Sequence, residues 1–345
     1  MTPRIVTFGE IMLRLSPPGH LRFGQARSFE AIYGGGEANV AASLVNFGLP
    51  ADFVTRLPTN DLGEACLQYL RACGVGTELI LRGGDRLGIY FLENGAAQRG
   101  SKVMYDRAGS AFATLQPGMI DWVKILKGAT WFHWTGITPA VSEGAAAVCL
   151  EGVRAARALG LTVSCDLNYR AKLWKGGKPA GEVMAELMTS CDLAVANEED
   201  ADKFFGIRAP DTDVTSGRLD PEKYRSVCEQ LARRFPHLET IAITLRGSLS
   251  AGHNTWSAVL WKQDQFHSGP TYDLPDIVDR VGAGDAFSAG LIYALNRFGG
   301  DPQRALAFAI AASALKHSIF GDFNLVTVAE VEALMTGNAS GRVSR

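Results

Sequence analysis

Residues 279–298 read DRVGAGDAFSAGLIYALNRF: a glycine turn, Gly282-Ala283-Gly284, delivers a carboxylate, Asp285, into the start of an apolar helical run. Ahead of it, segment 272–281 carries Asp273, Pro275, Asp276 and Asp279 and reads as an extended approach to the turn. Glycines at a helix start leave backbone N–H groups free to point outward, where the helix dipole favours an anion. A carboxylate beside such a turn repels a ground-state phosphate, so phosphate binding alone does not explain Asp285. Its natural work is to take a proton from a hydroxyl while the amides of Gly282, Ala283 and Gly284 stabilise charge on a transferring phosphoryl group. The plainer alternative is a tight helix entry capped by Asp285. A dinucleotide fingerprint is excluded, because Phe287 stands where its third glycine belongs, and no G-x-x-x-x-G-K-[S/T] element occurs.

Outward from this stretch, short β-branched runs alternate with longer helical patterns. Segments 4–9, 53–57, 130–134, 161–167, 193–197 and 240–245 read as buried strands. Segments 37–47, 62–73, 143–159, 182–190, 222–235, 286–298, 302–317 and 328–335 read as helices. Strands separated by crossover helices imply an α/β fold with a mostly parallel sheet covered on both faces. Two stretches break the rhythm: 13–29, rich in Pro, Gly and Arg, and 86–107, where alternating strands 88–93 and 101–105 flank the turn-like Asn94-Gly95. Both predict antiparallel strands that project as a small lid. Segment 208–220 reads as a polar surface loop, and 244–262 as a hairpin.

At 345 residues, 47% hydrophobic and 20% charged, the chain has ample material for a large core. A formal charge of −2 argues against nucleic acid or an anionic membrane as partner. No apolar run approaches the roughly 18 residues that cross a bilayer, and the first dozen residues read as a strand rather than a signal peptide. The six cysteines are scattered without a C-x-x-C pair, as buried thiols of a reducing, cytoplasmic compartment. His133, in an aromatic strand, reads as core and not as a metal ligand.

A second constellation lies near the other end. Gly34-Gly35-Gly36-Glu37-Ala38-Asn39 places three glycines before a helix, so that a ligand can approach the backbone, with Asn39 offering an amide to sugar-type hydroxyls. The alternative is a hinge. These two motifs, in this order, resemble those of the ribokinase-like (PfkB) carbohydrate kinases, and the resemblance extends over residues 3–335. It implies a three-layer sandwich with a central mostly parallel sheet and a small β-sheet lid. The divisions are an α/β body (1–12, 30–85 and 108–336), a lid (13–29 and 86–107) and a flexible tail (337–345). It further implies ATP and Mg²⁺ as partners, Asp285 as the base and Gly282, Ala283 and Gly284 as the anion hole. Asn197-Glu198-Glu199-Asp200 matches a family element that places magnesium and phosphate, with Asp200 acting through water. Thr244-Leu245-Arg246-Gly247 matches the loop that meets nucleotide phosphates, Arg246 standing where glycine is usual. Gly321-Asp322-Phe323-Asn324 matches the adenine pocket. Asp279 and Val281 match a monovalent-cation (K⁺) site, with Arg280 in place of threonine. Lids in this family pack against one another, which implies a homo-oligomer.

Three arginine-containing elements bear on the acceptor: Tyr105-Asp106-Arg107, Asp166-Leu167-Asn168-Tyr169-Arg170, and Arg280. An unpaired guanidinium in a closing pocket costs on the order of 3–5 kcal/mol, and a substrate carboxylate meets one bidentately. Arg107 and Arg170 therefore argue for a sugar acid, unless they pair with Asp106 and Asp166. The pattern resembles the 2-keto-3-deoxygluconate kinase branch, which implies Gly34, Gly35, Asn39, Tyr90, Tyr105, Arg107, Asn168 and Arg170 as sugar contacts. Kinases for fructose, ribose or 5-keto-2-deoxygluconate, and a non-catalytic sugar- or nucleotide-binding regulator, are the competing readings.

Overall fold

The computed structural model describes residues 3–174, 177–210 and 219–337. Most of the 208–220 loop and nearly all of the 337–345 tail lie outside the described residues. Strands run in chain order β1 (Ile5–Phe8), β2 (Met12–Ser16), β3 (Glu30–Gly34), β4 (Ala51–Val54), β5 (Arg56–Leu57), β6 (Leu81–Arg82), β7 (Gly88–Glu93), β8 (Lys102–Asp106), β9 (Trp131–Thr135), β10 (Thr162–Asp166), β11 (Leu193–Ala196), β12 (Thr240–Ser248), β13 (Asn254–Lys262), β14 (Gln265–Ser268) and β15 (Tyr272–Leu274).

The main sheet has the order β14-β13-β12-β11-β10-β9-β1-β4, with β15 paired to β13. Neighbours from β4 through β12 are parallel; β13 turns back antiparallel, Thr240 lying opposite Lys262. The period-2 alternation of a strand sends successive side chains to opposite faces. Ile5 enters one core while Val6 and Phe8 enter the other; Trp131 enters the first and Phe132 and Trp134 the second. Leu193 and Val195 against Ala194 and Ala196 divide the same way. Helices Gly36–Asn46, Asp61–Ala72, Ala283–Arg297 and Pro302–Lys316 close the first face. Glu143–Ala158, Ala180–Met188 and Arg225–Arg234 close the second. Three layers result, and burial on both faces is why these strands read as largely apolar runs.

The small sheet is β3-β2-β7-β8. It takes in Glu30–Gly34, which a composition boundary at residue 29 leaves with the larger body. Exposed Glu30 and Ala31 give that strand no apolar alternation to read. Two further differences have equally local causes. Segment 222–235 begins as a 3-10 turn, Pro221–Tyr224, and is α-helical only over Arg225–Arg234. β14 and β15, with largely uncovered side chains, extend the sheet past the expected hairpin.

One packing detail sets up the site. Helices Ala283–Arg297 and Pro302–Lys316 approach so closely that a Cβ at Gly290 would lie 3.0 Å from Ala309 Cα. Ser313 of the second helix donates its hydroxyl to the Ala283 carbonyl (2.6 Å) and pins the first turn of the first helix. Among the described residues, no helix is long and apolar enough to cross a membrane.

Candidate active site

Just beyond the carboxyl ends of β10, β11 and β12 lies a cleft of about 410 Å³, the position where open α/β sheets bind ligands. Its floor includes Asp166, Asn168, Asn197, Glu198, Asp200, Thr244 and Arg246; one wall is Gly34, Gly35, Gly36 and Asn39; the other is Gly282, Ala283, Gly284 and Asp285. Met12, Tyr90, Val103 and Tyr105 of the small sheet cover it. The two glycine motifs, remote in sequence, thus face one another.

Asp285 is buried, 9% exposed, and its Oδ2 accepts a hydrogen bond from the Asn39 side-chain amide at 2.6 Å. Burial pushes its carboxyl up to about 6; the Asn39 bond pulls the other way and Asp322 adds to the rise. Asn39 is held from its other end too, since its Oδ1 accepts the Gly35 N–H at 3.2 Å. At Gly282 the backbone is left-handed (φ +82°), and a Cβ would sit 2.0 Å from the Asp322 carbonyl oxygen. Only glycine fits there. The Ala283 N–H is turned back toward the Arg280 carbonyl at 3.4 Å. The N–H groups of Gly284 and Asp285 find no acceptor among the described residues and open toward the cleft. The triple glycine has its own cause: a Cβ at Gly34 would meet the Asp322 carboxylate at 1.9 Å, and one at Gly35 the Glu10 carbonyl at 2.0 Å. These glycines admit neighbouring protein groups as well as any ligand.

Around the turn lies a fully buried charge cluster. Arg14 of β2 places its guanidinium 2.7 Å from Asp279 and 2.9 Å from Asp322. Tyr90 donates its hydroxyl to the other Asp322 oxygen. Lys316 is completely buried beside them.

The remaining expected residues divide. Arg107 does not line the cleft. It is buried, and its partner is not Asp106: Glu10, on the loop between β1 and β2, takes its guanidinium. Asp106 pairs with Arg86 instead. Arg170 is exposed at the cleft, donates to the Tyr169 carbonyl at 3.0 Å, and makes no ion pair with Asp166. Asn168 holds a positive φ of 44°, a conformation a non-glycine residue adopts at a cost. Both Asp200 oxygens are occupied by backbone N–H groups, those of Tyr169 (2.9 Å) and Asn197 (2.8 Å). Glu198 lines the cleft beside Asp200, and burial raises its carboxyl while Arg246 lowers it. Arg280 donates to the Ala251 carbonyl and lines the cleft near Arg246. Gly247, Asp279 and Asn324 lie off the cleft; Asn324 is buried and accepts from the Val326 N–H.

Sequence reasoning misses Glu198, Asp166 and the Arg14 cluster. Glu198 sits inside the motif already singled out. Asp166 lines the cleft, and burial, then Asp200 and Asp285, push its carboxyl well up. A lone arginine among the apolar residues of Met12-Leu13-Arg14-Leu15 is the available signal for Arg14.

Residues 2–322 match the pfkB family of carbohydrate kinases. The chain is 36% identical to a 2-dehydro-3-deoxygalactonokinase of Haloferax volcanii, over 99% of both chains. It superimposes on the crystal structure of a 2-dehydro-3-deoxygluconokinase from Thermotoga maritima with a TM-score of 0.92 and 48% identity, covering 97% of this chain and 100% of that one. It is also 26% identical to a 5-dehydro-2-deoxygluconokinase of Shouchella clausii, over 96% of this chain and 95% of that one.

Proposed function

The chain belongs to the pfkB family of carbohydrate kinases, and from that premise we propose that it transfers the γ-phosphoryl group of ATP to the terminal hydroxyl of 2-keto-3-deoxygluconate. The observation that carries the reading is the buried Asp285 carboxylate, on the same helix start as the free amides of the glycine turn. A carboxyl raised to about 6 is ionised at neutral pH yet basic enough to take a hydroxyl proton in the transition state. The Gly284 and Asp285 amides and the helix dipole offset charge on the transferring group. Arg246 and Arg280 are neighbouring cations at the cleft with no carboxylate within ion-pair distance among the described residues, and they suit the triphosphate. A Mg²⁺ ion accompanying the nucleotide would offset phosphate charge. Glu198 would hold it, with Asp200 acting through water. Among the described residues no cluster of three such ligands exists.

Relatives named for keto-deoxy sugar acids support the acceptor. With Arg107 taken by Glu10, the carboxylate-recognition argument rests on Arg170 at the cleft mouth. Arg170→Met is therefore expected to lower kcat/KM for the keto acid by roughly 10²-fold or more, the scale of a lost charge-assisted bidentate contact, and to leave turnover of neutral sugars unchanged. Steady-state rates with paired acid and neutral acceptors check this; an equal loss on both refutes carboxylate recognition.

A pH profile tests the base. Asn39→Ala removes the side-chain donor that favours ionised Asp285. The acidic limb of kcat/KM, expected near 6, should move to higher pH. An unmoved limb would assign it to another group. The same reading carries a cytoplasmic location, and self-association through the small sheet, whose Met104 and Tyr105 are exposed.

A further inference from the structure

The charge cluster behind the glycine turn enters the steps above only through Asp322, which adds to the rise of the Asp285 carboxyl. It contains Asp279, the position to which the family resemblance assigns a monovalent-cation site, and the residues there do not fit one. Both oxygens of the Asp279 carboxylate are engaged: Oδ1 accepts the Val281 N–H (3.0 Å), and Oδ2 accepts the Gly321 N–H (3.1 Å) while lying 2.7 Å from Arg14. Arg14 is completely buried and held by Asp279, by Asp322 at 2.9 Å and by Ser16 Oγ at 2.9 Å. Lys316, also completely buried, donates to the Ile319 carbonyl at 3.0 Å; burial works against its charge, and Asp279 and Asp322 support it. Two carboxylates thus face two fixed cations. A further cation would need a shell of free oxygens that these groups no longer offer, and it would meet repulsion from both.

The cluster grips the turn from two directions. Asp279 holds the Val281 N–H just ahead of Gly282, and the Asp322 carbonyl lies against Gly282 itself. Arg14 reaches both aspartates from the small sheet. We infer that Arg14 and Lys316 are built-in counter-ions standing in for a monovalent cation, so that this kinase positions its anion-binding turn without K⁺ or Na⁺.

The inference concerns the site of phosphoryl transfer proposed above, and its test is separable from that proposal. Melting of the wild-type protein in potassium chloride and in N-methyl-D-glucamine chloride of equal ionic strength needs no substrate. The curves are expected to superimpose, whereas a saturable stabilisation by K⁺ alone overturns the inference. Rates with the acceptor that turns over, whichever sugar it proves to be, should likewise be equal in the two salts; saturable activation by K⁺ overturns it. Lys316→Met should lower kcat, by less than the roughly 10²–10³-fold lost with a direct anion-hole donor, with KM for the sugar little changed and part of kcat restored by K⁺. Arg14→Met should behave alike where it folds. A Lys316→Met enzyme with full kcat contradicts the role. Failure of every sugar to react sinks the substrate assignment alone, since the melting comparison still decides the cation question.

Discussion

Asp285→Asn is expected to abolish phosphoryl transfer while making the protein harder to unfold at neutral to slightly alkaline pH. The first effect follows from removing the proton acceptor: a positioned general base contributes about 10²–10⁴-fold, and an amide cannot replace it. ATP should still bind, because the backbone amides of residues 284 and 285 are unchanged. The second effect follows from linkage. The folded-state carboxyl sits at about 6 against an ordinary 3.8, chiefly through burial. A raised acid favours the folded state below the unfolded value and loses that contribution as pH rises from 3.8 through about 6. Above that window the full cost of holding the ion in a buried site is present. An asparagine keeps the shape, and its side-chain oxygen can still accept from Asn39, without that cost. The gain above the window should be roughly 1–3 kcal/mol, from the value of one pKa unit, and it should vanish as pH falls toward the unfolded value. Urea denaturation of both proteins across that range measures it. An Asp285→Asn variant that is active, or one that is less stable at neutral pH, would remove the buried base from the account.

Gly282→Ala should cost both folding and chemistry. The position combines φ +82° with a carbonyl oxygen 2.0 Å from any Cβ, and that oxygen belongs to backbone, which has no rotamer with which to retreat. The left-handed conformation alone costs an alanine about 1–2 kcal/mol, and relieving the clash must move the Asp322 loop or tilt the helix start. Tilting misdirects the amides, and losing one anion-hole donor typically lowers kcat by about 10²–10³-fold. Gly284→Ala is the contrast, since its Cβ would meet nothing within 4 Å in the protein. That variant should melt like wild type yet bind or turn over ATP less well, because the added methyl faces the ligand space. Should Gly282→Ala keep wild-type kcat, the geometry of the turn is not what the chemistry requires.

What could be read in the chain, and what could not, follows from how local each signal is. The doubly covered strands are legible because burial on both faces demands largely apolar runs, as in β11. Asp285 and its glycines are legible because backbone conformation and helix polarity act within a few residues. The edge strand Glu30–Gly34 is not, having little apolar surface to hide. Pairings across the chain are harder still. Arg14 meets Asp322 across 308 residues, and Arg107 meets Glu10 across 97, with nothing in either local sequence to name the partner. That is why Arg107 looks like an unpaired cation awaiting a substrate, and why Asp279 looks open to a metal ion.

Phosphoryl transfer to individual acceptors tests the central claim most directly. ADP release should be followed with 2-keto-3-deoxygluconate, its galactose-derived epimer, 5-keto-2-deoxygluconate, fructose and ribose, and the product located by phosphorus NMR. A 2-keto-3-deoxy acid should give the highest kcat/KM, with phosphate on its terminal hydroxyl. Faster turnover of fructose or ribose, or no transfer to any of them while ATP still binds, would contradict the account.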